Sequence, residues 1–188
     1  KPAANEAAQT HSGVIVCSDA VFDSALCRAG AVRVRSFVAL FSAAKCLASR
    51  YRPVGKRLAI VTNGGGPGVL AADWVNEILL DLGRLSPESV AALKPQLPAL
   101  ASLADLIDLS EEATPEHYRL AIDAASRDRQ IDGVLVIHSP KHGVDPAEIA
   151  RAVADVKRQM SKPLLSCWMG DATVVPARGI LLEASIPN

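Results

Sequence analysis

The densest chemistry in the sequence lies in Thr62-Asn63-Gly64-Gly65-Gly66-Pro67-Gly68. This stretch follows the apolar run Leu58-Ala59-Ile60-Val61 and precedes the helical pattern Val69-Leu70-Ala71-Ala72-Asp73-Trp74-Val75. Glycine has no Cβ, so its backbone N–H approaches an anion closely. A helix start adds unpaired N–H donors and the positive end of a dipole. Phosphate is the expected ligand, with Asn63, Gly64, Gly65, Gly66 and Gly68 as its binding residues. No Gly-Lys-Ser/Thr follows, so this is not a Walker A loop. Nor does it fit G-x-G-x-x-G, so a dinucleotide is not specified. The alternative reading is a tight strand-to-helix turn with no ligand.

Other residues carry chemistry of their own. His11, in Thr10-His11-Ser12-Gly13, is flanked by small residues. A neutral imidazole there can attack phosphorus, or simply be a solvated surface histidine. His138 and His142 bracket a loop after a strand, but no nearby carboxylate or Cys completes a metal site. No metal is therefore expected. His117 falls in the first turn of a helix, as a structural or exposed residue. Asp105 and Asp108 read as turn and capping residues before a helix. Trp74 and Trp168 read as core. Cys17, Cys27, Cys46 and Cys167 form no C-x-x-C pair and read as small buried hydrophobes.

The elements that must position these residues alternate along the chain. Ser86-Pro87, Thr114-Pro115 and Asp145-Pro146 each pair a capping residue with Pro at the first helical position. Glu148 stands at capping-box spacing from Asp145. Further helices are expected at 19–29, 36–50, 68–81 and 173–184. Leu58–Val61, Val134–Ile137 and Leu164–Cys167 are apolar throughout, as strands covered on both faces are. Val32-Arg33-Val34 and the stretch around Leu106–Leu109 are further strand candidates. The pattern predicts an α/β fold: a doubly wound, mainly parallel sheet with helices on both faces. Residues 1–17 read as a flexible lead-in carrying His11, and residues 18–188 as a single domain.

Bulk properties narrow the function. The 188 residues are 49% hydrophobic, enough for a sizeable core. Three Phe, two Trp and two Tyr leave that core to Ala, Val, Leu and Ile. Lys plus Arg equals Asp plus Glu at 20 each, which argues against nucleic-acid or membrane-surface partners. No run approaches a membrane span, and the N-terminus has no apolar signal core, so a cytoplasmic location is expected. A missing initiator Met and a helix-to-strand ending suggest a piece of a larger protein.

Two segments together carry a resemblance. His11-Ser12-Gly13, Ser18-Asp19-Ala20-Val21-Phe22-Asp23-Ser24-Ala25 and Arg28-Ala29-Gly30 resemble the SHTG segment of NDP-forming acyl-CoA synthetases. Val61–Asp73 is similar to the TNGGGPG segment of that family. Leu85-Ser86-Pro87-Glu88, Ala113–Tyr118 and Ser185-Ile186-Pro187 continue the match in order. Succinyl-CoA synthetase is a more distant relative. The resemblance implies a flavodoxin-like, succinyl-CoA synthetase-like domain of an acid–thiol ligase that interconverts acyl-CoA, ADP and phosphate with acid, CoA and ATP. It implies that His11 carries the phosphoryl group and that Gly64–Gly68 is one of two helix starts holding it. CoA, ATP or ADP and Mg would be bound by the parent enzyme. This domain alone would bind only phosphate and would be inactive. CoA-binding and ATP-grasp domains would be its partners, with homo-oligomerisation a further expectation.

The chain departs from the family in places. SHTGALAG is replaced by Thr10-His11-Ser12-Gly13-Val14-Ile15-Val16-Cys17, and NPVD by Asp105-Leu106-Ile107-Asp108. Synthetase-like regions fused to GNAT protein lysine acetyltransferases also resemble Val136–Pro140 and Ser166–Gly170. A regulatory role in such a fusion is the alternative. A flavin-binding module or a phosphoacceptor receiver is a third reading. It lacks a placed aromatic pair and an acidic cluster after an early strand.

Overall fold

The computed structural model describes residues 18–49, 51 and 55–188. The chain divides into two compact units, one ending at Ala44 and the other running Lys45–Asn188.

The first unit contains α1 (Asp19–Arg28) and most of α2 (Phe37–Ala48). Ser18 caps α1 by accepting from the Val21 N–H. Arg33 pairs with Asp19 and with Asp23 at 2.9 Å, and its guanidinium lies over the Phe22 ring. Val32-Arg33-Val34, a strand candidate in sequence, is neither helix nor strand. Neither helix has a buried residue, and Val21, Phe22, Phe37, Val38 and Phe41 are all exposed.

The second unit is built on a parallel sheet. Its elements in order are β1 (Arg57–Thr62), α3 (Gly65–Glu77), β2 (Asp81–Leu82), α4 (Pro87–Leu93), β3 (Ile107–Asp108), α5 (Pro115–Arg127), β4 (Gly133–His138), α6 (Pro146–Lys157), β5 (Leu164–Trp168) and α7 (Val175–Glu183). The order across the sheet is β2-β1-β4-β5, and β3 joins the same edge of β1 as β2. β2 pairs with the start of β1 (Leu58 opposite Leu82), and β3 with its end (Thr62 opposite Asp108). β1 registers Ala59 opposite Val134 on β4, and β4 registers Val136 opposite Ser166 on β5. β2 has only two residues and lies where sequence periodicity places the end of a helix; α3 stops at Glu77 instead.

Alternate strand residues face opposite sides. On one side, Ala59, Val61, Val134, Val136, Leu164 and Trp168 pack with Tyr118, Ala121 and Ile122 of α5, Ile149 and Val153 of α6, and Leu181 of α7. On the other, Ile60, Ile137, Leu58 and Leu135 meet Val75, Ala71 and Ala72 of α3. Helices thus cover both faces of a mainly parallel α/β sheet. The Ser-Pro, Thr-Pro and Asp-Pro starts all open helices. Ser86 accepts from Ser89 N, Thr114 from His117 N, and Asp145 from Ala147 N. The capping box forms at Thr114, where His117 Nδ1 accepts from the Thr114 N–H at 3.1 Å, and not at Asp145–Glu148.

Candidate functional site

In parallel α/β sheets ligands gather at the carboxyl ends of the strands. Here that edge brings together the end of β1, the start of α3, Asp108 closing β3, Ser139 after β4 and Met169 after β5. Helix α3 starts three residues before the expected 68, so Gly65, Gly66 and Pro67 form its first turn.

The five glycine-turn residues do different jobs. Asn63 is only 2% exposed, and its amide is fully engaged with the neighbouring strand end. Its Nδ2 donates to the Ser139 carbonyl at 2.9 Å, and Ser139 N–H donates to its Oδ1 at 2.8 Å. Gly64 N–H donates to Thr62 Oγ1 at 3.0 Å. Gly68 N–H donates to the Gly64 carbonyl at 3.2 Å, the first bond of the helix. Pro67 has no N–H. That leaves Gly65 and Gly66, both exposed, whose N–H groups no described residue accepts. Around Gly66 a Cβ would meet nothing within 4 Å; at Gly65 it would lie 3.5 Å from Asp108 Oδ2. Two adjacent N–H donors without a described acceptor therefore lie at an exposed helix start, with the Asp108 carboxylate near the first of them.

Asp108 was visible in the sequence only as a turn residue, and it is one. Its Oδ1 accepts from Ser110 N–H at 3.0 Å, and Ser110 has φ 66°. Its closeness to Gly65 comes from β3 pairing with β1, which local sequence does not reveal. Ser139 escaped notice for the same reason. Lys141 pairs with Glu111 at 2.5 Å and Arg84 with Asp105 at 2.7 Å.

His138 ends β4 inside the core rather than in the loop, 1% exposed. Its Nδ1 is 3.2 Å from the Tyr118 hydroxyl, its ring lies between those of Tyr118 and Trp168, and Nε2 has no partner. Burial pushes its pKa down to about 4, so it is neutral at pH 7. Burial also raises the Tyr118 phenol. His142 is exposed, and no metal-binding group of three His, Cys, Asp or Glu occurs among the described residues.

Several packing expectations need correction. Trp168 is core at 2% exposed, but Trp74 is 65% exposed on α3, because α3 turns Val75 rather than Trp74 to the sheet. Cys27, Cys46 and Cys167 are exposed, not buried: the first two lie on helices without buried residues, and Cys167 faces away from the main core. His11 and Cys17 lie outside the described residues.

Residues 1–47 match a family model described as a succinyl-CoA ligase-like flavodoxin domain. The chain is 32% identical to the ADP-forming acetate–CoA ligase I of Archaeoglobus fulgidus, over 97% of this chain and 26% of that protein. It is 28% identical to the alpha subunit of ADP-forming acetate–CoA ligase II of Pyrococcus furiosus, over 98% of this chain and 41% of the subunit. A solved structure of Ca. Korarchaeum cryptofilum dinucleotide-forming acetyl-coenzyme A synthetase 1, in complex with phosphate and ADP, superposes with TM-score 0.90 at 28% identity. That match covers all of this chain and 41% of the other. The chain thus spans well under half the length of these relatives. Over nearly its whole length the chain is thus similar in sequence and fold to ADP-forming CoA ligases, and its first 47 residues to a succinyl-CoA ligase-like flavodoxin domain.

Proposed function

We propose that this chain is the phosphate-handling part of an NDP-forming acyl-CoA synthetase, which interconverts acyl-CoA, ADP and phosphate with free acid, CoA and ATP. The observation that carries the reading is the likeness of this whole chain to 41% of a synthetase solved with phosphate and ADP. At the residue level it is supported by the open N–H pair of Gly65 and Gly66 at a strand's carboxyl end.

In this reading His11 takes the phosphoryl group from an acyl phosphate, releasing the free acid, and passes it to ADP to give ATP. A nitrogen lone pair of the imidazole forms the N–P bond as the acyl C–O–P link breaks at phosphorus. Gly65 and Gly66 hold phosphoryl oxygens during that exchange, since fixed donors and a helix dipole stabilise their negative charge. Asn63 and Gly64 shape the turn rather than touch the anion, and Gly68 anchors the first helical bond. CoA-binding and ATP-grasp domains of the parent protein would supply the thioester, the nucleotide and Mg, so the chain alone would not turn over. No described helix is long and apolar enough to cross a membrane.

The organisation follows from two boundaries. The family match ends at residue 47, and the sheet-bearing unit begins at Lys45. This supports reading residues 1–47 as part of one flavodoxin-like domain and the rest as a second α/β domain. Helices α1 and α2, with no buried residue, are what such a part would leave.

The test is labelling of the full-length parent with γ-labelled ATP. A phosphoramidate is acid-labile and base-stable, so the label should vanish in acid and survive base. His11→Ala should abolish it and Ser12→Ala should keep it. Equal labelling of wild type and His11→Ala would defeat the relay and favour a regulatory, GNAT-fused role.

A further inference from the structure

Met169 places a sulfur at the carboxyl edge of the sheet. It follows β5, and its N–H donates to the His138 carbonyl at 2.9 Å. The residue is 41% exposed, against 9% for Met160, the chain's other methionine, which lies in the core. Ser139 Oγ donates to Met169 Sδ at 3.6 Å. Ser139 is also the residue whose backbone clamps Asn63, and its Oγ is 3.1 Å from where a Gly64 Cβ would be. One side chain therefore separates the thioether from the glycine turn.

A thioether is a weak acceptor, whereas a sulfoxide is polar and accepts through its oxygen. Peroxide makes the conversion without help from the protein. A sulfur lone pair attacks one peroxide oxygen and the O–O bond breaks. The other oxygen leaves as hydroxide, which takes the proton of the transferred oxygen and becomes water. Sulfur gives up two electrons and peroxide takes them. Thiols compete in this chemistry only as thiolates. Partial burial raises the thiol of Cys167, two residues before Met169, and keeps it protonated. A thioether needs no deprotonation. The oxygen gained at Met169 meets water on one side and, on the other, a hydroxyl that already donates to the sulfur.

We infer that Met169 is a modification site, oxidised by peroxide to the sulfoxide, whose new oxygen takes over the Ser139 hydroxyl bond and so couples the oxidation state to the Asn63–Gly64 turn. Methionine sulfoxide is enzymatically reducible, so the modification is reversible. The inference does not depend on an anion being held at the turn.

The chain is treated with hydrogen peroxide at pH 5, then with dithiothreitol to restore its thiols, and the methionines are read by peptide mass mapping. Met169 should oxidise about tenfold or more faster than Met160, because a core side chain reacts only through rare openings. In ¹⁵N-labelled protein the Ser139, Asn63 and Gly64 amide resonances should shift in step with Met169 oxidation. In Met169→Leu, a change at a partly exposed position, the same treatment should leave them still. Ser139→Ala keeps the backbone clamp and loses the hydroxyl. There Met169 should oxidise as before, while the Asn63 and Gly64 shifts fall by about half or more, since the donor to the new oxygen is gone. Met169→Leu decides the matter alone if Ser139→Ala does not fold. Comparable oxidation rates for the two methionines overturn Met169 as the site. Oxidation of Met169 with no movement at Asn63 and Gly64, movement that persists in Met169→Leu, or undiminished movement in Ser139→Ala overturns the coupling to the turn.

Discussion

Asn63 is the residue on which the geometry of the turn depends, and its removal has a calculable cost. Its two hydrogen bonds to Ser139, at 2.9 and 2.8 Å, fasten the carboxyl ends of β1 and β4 together. Each such bond contributes about 0.5–1.5 kcal/mol net, and buried groups left unpaired add to the loss. Asn63→Ala should therefore cost the sheet domain about 2 kcal/mol, or roughly 4–8 °C in Tm. Asn63→Asp, nearly isosteric, should cost more at pH 7. It retains the bond from Ser139 N–H but turns a charged oxygen toward the Ser139 carbonyl, at a position only 2% exposed. Burial and that carbonyl would both raise the new carboxyl's pKa above its unfolded value. For an acid so raised, stability recovers as pH falls toward the unfolded pKa, because the protonated form can donate to Ser139. Urea unfolding of both variants at pH 7 and pH 5 tests this. The Asp variant's deficit should shrink by 1 kcal/mol or more on the order of the protonation gain at pH 5. An Ala variant within about 0.5 kcal/mol of wild type, or an Asp deficit independent of pH, would refute the clamp.

Two further outcomes follow from the same edge of the sheet. His138 has a folded pKa of about 4 against an ordinary 6.5, so the unfolded chain binds its proton first. Stability should therefore fall by about 3 kcal/mol as pH drops from 6.5 to 4, and His138→Phe should remove that slope in urea melts across the range. A Cβ at Gly68 would lie 2.9 Å from both Thr62 Cγ2 and Leu106 Cδ1, whereas one at Gly66 would meet nothing. Gly68→Ala should destabilise despite Ala's helix preference of about 1 kcal/mol, while Gly66→Ala should be neutral or stabilising by thermal melt.

What the sequence disclosed was what neighbours along the chain decide. Ser86, Thr114 and Asp145 announced their helices because capping is settled within one turn. The apolar runs of β1, β4 and β5 announced themselves because a strand buried on both faces has no polar side. The two-residue β2 lay hidden because so short an edge strand has no period to detect. Trp74 and the cysteines differ from expectation because residue type reports average burial, whereas the way each element faces decides the actual exposure. The glycine turn was legible as a type of site. Which N–H groups stayed free was half legible: Pro67 is in the sequence, but the Asn63–Ser139 clamp and the approach of Asp108 are products of strand pairing.

The pairing of β1 with β4 also governs how the chain reaches its native state. Asn63 and Ser139 are 76 positions apart, and the whole β1–β4 ladder has similar separation. Closing so long a loop costs entropy before any ladder bond forms, so parallel sheets of this kind fold slowly. On the ribosome, at roughly 5–20 residues per second, β1 emerges about 4–15 s before its central partner exists. Through that interval the apolar run Leu58–Val61 has at first no partner strand and later only its two short edge strands for company. The domain therefore depends during synthesis on whatever shields a nascent strand, a demand that its finished, fully paired centre no longer reveals.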